Sequence, residues 1–561
     1  MQSRIGLALA FALLSPIAAA DRLVTTDGRV VEVKKARVQG AGYRLTFEHG
    51  EIVLADKSAL KAVEIEGDMS DYVPKDDNEK ANLAKGFVKY AGAWMTKQAY
   101  ENKLSEEHAK SAKRTEDMAA HADFDHGWTK DTPHFSVRTN TSPELLDYYA
   151  NLLETYYSLM DNRFGINPSP SLRRTKMQVN IYKNRKEFTK YSDMPQGVAG
   201  FFSPSDQTLN FYHDYSEPDI SNWVSLHECT HLLTFLIDPQ YVSQIWVNEG
   251  VADFFGSAEI TTDKRGKVSI TPGRLQTDRV LTVQQAIQEG KDIKLEELFK
   301  ITRDEFEAFQ YAHAWSFIYF LNQTPKYQKG FNKFFKDLYS LAKGIEFEIV
   351  DYTSFSGGRG KKVAPAEIRR VLLQSLGLKD TAGIEKEWKD FIAKVPLEGP
   401  SARFKRAYYT LFQGGVWSQN KDPKLRREET QKNFQQVISD LDTAISGGIK
   451  DPRAYFSRYL ARRLSGPLLS QEPGASAQED LAKAIELDPL NASYRFAMGN
   501  LLAKDFYFDF GEDSGIEVRG QENAPKHEVV PEAAALLGLA VELAPENESY
   551  LKRYESYVGS K

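Results

Sequence analysis

The chain has 561 residues, 41 % of them apolar, enough for two to four domains with cores of their own. Its 72 Lys and Arg are dispersed among 78 Asp and Glu for a net charge of −6, so its charge runs read as solvated helix faces and a nucleic-acid partner is excluded. Cys229 is the only cysteine, which excludes an intrachain disulfide and leaves core packing and any bound metal to hold the fold.

At the amino terminus, Arg4, the apolar stretch from Ile5 to Leu14 and Ala18-Ala19-Ala20 before Asp21 have the form of a signal peptide over residues 1–20. That predicts an exported protein, periplasmic or secreted, of a bacterial cell envelope. No cysteine follows the cleavage site to accept lipid, and no later run approaches the ~20 apolar residues of a membrane helix, so no integral membrane segment is expected after signal removal. Residues 21–66 alternate apolar and polar, with turns at Asp27-Gly28, Gly40-Ala41-Gly42 and His49-Gly50. They predict a small antiparallel barrel or meander that resembles the SH3-like domains attached to exported proteins. Residues 67–130 read as a linker. Its stretch 77–120, rich in Lys, Glu and Ala with few breakers, predicts a long solvated helix or helical hairpin, and His108, His121 and His126 read as surface residues.

From residue 131 the pattern changes to strand (Phe135 to Arg138), helix (Pro143 to Phe164) and strand (Met177 to Tyr182). A hairpin follows, Gly197 to Phe202 and Thr208 to Tyr212 around the turn Ser203-Pro204-Ser205-Asp206, placed to border a cleft. The next helix has Asp219 and Ser221 as N-cap candidates, an apolar stripe of Trp223, Val224, Leu226 and Leu233, and a stop at Asp238-Pro239. It carries His227-Glu228-Cys229-Thr230-His231. Two histidines at i and i+4 share one helix face, with Cβ atoms about 5–6 Å apart, so both imidazoles can reach one metal at about 2.0–2.1 Å.

After seventeen intervening residues comes Glu249, inside Trp246-Val247-Asn248-Glu249-Gly250-Val251-Ala252-Asp253. A catalytic zinc takes three protein ligands and leaves a fourth position for water, and two His with one Glu is a known set. His227, His231 and Glu249 fill it. Glu228 then lies beside the metal, free to act as general base. A His ligand needs an acceptor on its second ring nitrogen, and Asp253, one turn after Glu249, is the candidate. Cys229, at i+2 from His227, points off the ligand face and reads as a small buried side chain.

These residues resemble the gluzincin metallopeptidases, and the string Trp246 to Phe255 is similar to that of zinc aminopeptidases and of compact peptidase MA-like domains. The resemblance implies an α+β, zincin-type (thermolysin-like) domain over residues 131–398, one Zn2+ on His227, His231 and Glu249, Glu228 as catalytic base, and a peptide or protein substrate. The metzincin pattern is absent, because it needs Gly at Thr234 and His at Ile237. The resemblance also places Tyr311 where aminopeptidase-like gluzincins carry a tyrosine that stabilises the transition state, with His313 as second candidate. A packed helical stripe of Tyr311, Trp315 and Tyr319 accounts for the same spacing. No Gly-x-Met-Glu-Asn segment for a free amino terminus is found, which favours endopeptidase action. Two helices, Ala366 to Leu376 and Ile384 to Val395 with Trp388, are expected to close the domain near Pro396.

Residues 399–561 repeat themselves. Asp440-Leu441 before Ala444-Ile445 recurs as Asp480-Leu481 before Ala484-Ile485, and Ala484 to Pro489 recurs as Ala540 to Pro545. The segments resemble tetratricopeptide helix pairs, with a period of ~34 residues stretched by insertions around 463–474 and 503–530, and imply an all-α surface for a protein partner. A second reading of the whole chain follows: a cell-envelope scaffold whose repeats bind partners and whose zincin module is inactive or purely structural. The intact Glu228 favours the enzyme, since nothing else in the fold requires a carboxylate there.

Overall fold

The computed structural model describes residues 21–559 apart from 27, 40, 65–73, 91–92, 167, 169–175, 196, 216, 264–266, 352–357, 413–414, 466–474, 505–507, 510–516, 519–528 and 546. The signal peptide expected at 1–20 lies outside the described residues, as do most of the two expected insertions. The described chain mixes helix and strand and is helical toward its C-terminus. It divides into two compact units: Met1–Met118 with Asp488–Tyr507 and Arg519–Lys561, and Ala119–Leu487 with Phe508–Val518.

In the first unit the alternation of residues 21–66 makes six short strands in two three-stranded antiparallel sheets. Alternate side chains, Leu23, Val31, Val33, Ala36, Leu45, Ile52 and Leu54, face one core, and that core also takes Leu490 from a turn and Leu539 and Leu543 from the helix Pro531–Leu543. At the turn between two strands, the backbone N–H groups of Glu48 and His49 donate to the Glu542 carboxylate at 2.8 and 3.0 Å, and His49 Nε2 lies 2.8 Å from the Tyr554 hydroxyl. Gly538 on the helix Pro531–Leu543 admits the imidazole: a Cβ there would lie 2.4 Å from the His49 ring.

The stretch 77–120 is not uninterrupted helix. Helices Asp77–Ala84 and Lys97–Ala120 flank a β-hairpin of Phe87–Tyr90 and Ala93–Thr96. The break comes at Gly86, whose φ of 75° ends the first helix, and the aromatic and β-branched residues after it suit a pleated strand better than a solvated helix.

The second unit is organised on a five-stranded sheet in the spatial order Gly200–Ser203, Thr208–Tyr212, Met177–Tyr182, Phe135–Thr139 and Trp128–Asp131. The three inner strands run parallel and the two outer ones antiparallel to their neighbours. Val137, Val179, Ile181, Leu209 and Phe211 point from it into the main core. Against them packs the helix Pro143–Phe164, capped by the Ser142 hydroxyl, which accepts from the Leu145 N–H at 3.1 Å, and ended by Gly165 in the left-handed region.

The helix of the His-Glu motif, Pro218–Ile237, is capped otherwise than expected. Glu217 holds the cap position without a side-chain bond, Pro218 opens the helix, and Asp219 falls in the first turn. Ser221 is buried, its hydroxyl accepting from the Asp214 N–H at 2.8 Å to tie down the entering loop. Next come the almost wholly buried helix Ile245–Gly256 and the helix Ala308–Gln323, which cross at Gly250, where a Cβ would lie 2.9 Å from Ile318 Cγ1 and 3.0 Å from the Ala314 carbonyl oxygen. Helices Pro365–Leu376 and Ala382–Ala393 follow; the buried Trp388 donates its indole N–H to Ser316 at 3.1 Å. The helices Pro400–Phe412, Pro423–Ser446, Pro452–Ser465 and Ala475–Leu487 pack each on the next.

Candidate metal centre

One turn of helix separates His227 from His231, and the neighbouring helix brings Glu249 to the same point. The two Nε2 atoms are 3.2 Å apart, and Glu249 Oε2 lies 3.4 Å from that of His227 and 3.5 Å from that of His231. Donors of a tetrahedral ion with bonds of about 2.0–2.1 Å stand about 3.3–3.4 Å from one another, so the triangle has the size such an ion requires. Among the described residues this is the one cluster of three or more His, Cys, Asp or Glu able to hold a metal. The chemistry of the donors, two imidazoles and one carboxylate, fits zinc.

Two close approaches set the geometry. Gly256 ends its helix directly against His227, where a Cβ would lie 3.1 Å from the His227 Cβ and 3.2 Å from its backbone nitrogen. On the same helix Asp253, 1 % exposed, sets Oδ1 3.2 Å from His227 Nδ1. Its other oxygen lies 2.6 Å from Arg279 Nη2, and the Gln276 amide donates to the Asp253 carbonyl at 3.2 Å. Arg279 was not legible in the sequence: it stands on the separate helix Thr277–Glu289, and no local pattern ties it to Asp253.

The charges respond to this crowding. Burial opposes a charge on His227, but the carboxylates of Asp253 and Glu249 outweigh it and push its pKa up to about 10. Burial likewise opposes the charge on Glu249, yet the two imidazoles hold it well below the usual carboxylate range. The site favours a cation. Glu228, beside it, is raised by burial, only partly offset by the imidazoles and by the Phe202 N–H, which donates to Oε2 at 3.1 Å. Phe202 belongs to the sheet's edge strand, so that strand forms one wall of the site.

His227, Glu228, His231, Glu249 and Tyr311 all line a single cleft of about 810 Å3. Tyr311 stands in the first turns of its helix, its ring 5.5 Å beneath the Arg279 guanidinium, and burial together with the Glu249 and Asp253 carboxylates raises its phenol. His313 does not reach the cleft. Two residues on, it turns into the core, 0 % exposed, with Nδ1 2.8 Å from the Phe309 carbonyl oxygen, and burial lowers its pKa. Cys229 is buried in the core, away from the donors, and burial raises its thiol. The far wall of the cleft is the segment Lys300 to Arg303, pinned by the Gln244 amide, which donates to the Phe299 carbonyl at 3.0 Å. Arg303 reaches back to the centre, Nη2 3.6 Å from Glu249 Oε1.

The model of a family described only as a protein of unknown function (DUF1570) matches residues 224–343, the stretch that holds His227, Glu228, His231, Glu249 and Tyr311. No curated protein and no solved structure matches the chain.

Proposed function

We propose that this chain is an exported zinc metallopeptidase, an endopeptidase of gluzincin type. The observation that carries the reading is the convergence of His227, His231 and Glu249 on one point in an open cleft, with the Glu228 carboxylate beside it. Zinc bound there supplies a Lewis acid that polarises the scissile carbonyl and makes the attacking water more acidic. Glu228 takes the proton of that water and passes it to the leaving amine, and its burial raises its basicity toward the task. Tyr311, kept protonated by its buried and anionic surroundings, donates its O–H to the carbonyl oxygen as charge develops there. The edge strand Gly200–Ser203 offers outer main-chain groups to an extended peptide. Asp253, held by Arg279, accepts from Nδ1 of His227 and leaves Nε2 its lone pair.

The test is digestion of a mixed peptide pool by wild type and by Glu228→Gln, each with and without chelator. The expected result is about one zinc per chain in both, cleavage by wild type alone, and its loss on chelation. A zinc-loaded wild type that cuts nothing, or a variant as active as wild type, would reject the reading.

A further inference from the structure

We infer that the cleft selects acidic peptide segments. The inference rests on the metallopeptidase reading for the identity of its ligand as a peptide, and on separate observations for the charge.

Apart from the metal donors His227, His231 and Glu249, the ionised side chains that line the cleft are Glu228, Asp238, Lys300, Arg303 and Lys362. Asp238 is already matched: its Oδ2 lies 2.8 Å from Lys361 Nζ, and its Oδ1 accepts from the Gln240 N–H. Glu228 is turned to the centre and to the Phe202 N–H. The basic groups are held more loosely, Lys300 acting on the Glu296 carboxylate without a close ion pair. Lys300 and Lys362 are exposed and, among the described residues, form no ion pair. Arg303, 72 % exposed at its side chain, approaches Glu249 Oε1 at 3.6 Å, the oxygen opposite the one that meets the imidazoles, and keeps most of its guanidinium open to the cleft.

The three cations stand on two walls. Lys300 and Arg303 project from the pinned segment beside Glu249 and Tyr311, and Lys362 from the strand paired with Tyr241–Val242. With Asp238 paired to Lys361 and Glu228 and Glu249 turned to the centre, the charge left facing the mouth of the cleft is that of the cations, beside the low-dielectric rings of Phe201, Phe202, Phe235 and Tyr241. The chain as a whole carries a net charge of −6, so its overall charge supplies no attraction for an acidic peptide.

The experiment measures binding separately from cleavage. Zinc-loaded Glu228→Gln protein is titrated with labelled peptides of equal length, one alternating Glu and Ala, the other Lys and Ala, by fluorescence anisotropy at low and at physiological ionic strength. The acidic peptide is expected to bind at least roughly tenfold more tightly at low salt, with the margin shrinking as the Debye length falls. The double variant Lys300→Glu/Lys362→Glu, changed only at exposed positions, is expected to abolish the margin while keeping the zinc content and melting temperature of its parent. Equal binding of the two peptides, a preference for the basic one, or a margin untouched by the double variant would overturn the inference. Wild-type digestion of the same peptides keeps the two readings apart. Acidic-peptide binding by a wild type that cuts neither these peptides nor the mixed pool removes the hydrolytic reading and leaves the selection, whereas cleavage of both peptides with equal kcat/KM removes the selection and leaves the hydrolysis.

Discussion

Asp253 is the residue on which the donor set leans most. It touches His227 on one side and Arg279 on the other, and it supplies much of the field that raises the His227 pKa to about 10. Because that value lies above the one for free imidazole, the pair stabilises the metal-free fold at neutral pH and loses that contribution as pH climbs through about 10. The same proton must leave before Nε2 can take an ion, so metal affinity should rise close to tenfold per pH unit between about 7 and 9. Asp253→Ala should weaken the zinc affinity of the deprotonated site about 10–100-fold and flatten that slope, since the histidine then sheds its proton more readily. Competition titration against a chelator across this pH range measures both; unchanged affinity and slope would make Asp253 a bystander. His227 with His231, and Glu249 with Asp253, were legible because helical spacing puts each pair on one face of its own helix, and the two-His, one-Glu ligand set joined the pairs and left Glu228 beside them. Arg279, the Phe202 N–H and Arg303 were not, since each reaches the centre from an element whose approach is decided by tertiary packing.

Among the elements, the helices after residue 399 show what a short repeated motif does. Asp440, 1 % exposed, receives Arg403 Nη1 at 2.8 Å and Arg406 Nε at 2.6 Å from the preceding helix. Asp480, the same position of the next repeat, receives Arg458 Nε at 3.0 Å and Arg462 Nη1 at 2.6 Å. The recurring Asp-Leu pair is thus a buried clamp between consecutive helices, and at the third recurrence, where Leu536 stands in its place, an apolar side chain replaces it. Breaking a buried pair strands its partners, so Asp480→Ala should cost on the order of 3 kcal/mol. Urea denaturation followed by far-ultraviolet circular dichroism reads this, and a midpoint shift within error would show the arginines satisfied by water. That the chain is helical and repetitive here was legible, and Pro143–Phe164 was legible in its bounds. The hairpin Phe87–Tyr90/Ala93–Thr96 was not: a four-residue strand has too few alternations to stand out among Lys and Glu, and its pairing partner rather than its own pattern decides it. The cap of the motif helix escaped for a similar reason, because Pro218 made the start one turn earlier than the better-capping side chains suggested.

At the scale of the whole molecule, the β-sheets of residues 21–64 have no closed core without the C-terminal helices. A chain ending at residue 487 would uncover Leu23, Leu45 and Leu54, which are buried together with Leu490, Leu539 and Leu543. Hydrogen–deuterium exchange on such a truncation should show the strand amides unprotected while those of Met177–Tyr182 and Pro218–Ile237 keep their protection; full protection of the strands would mean that they close on themselves. A partner-capture assay by C-terminal deletion would therefore report a damaged amino-terminal unit as well as lost repeats. The shared core also orders events in time. During synthesis at ~5–20 residues per second, about 400 residues separate these strands from the helices that cover them, an interval on the order of 20–80 s in which newly made sheet edges and their greasy undersides stand open to wrong partners. Whatever shields them for that long, whether a chaperone or delayed collapse, is a requirement written into the protein by joining its two ends.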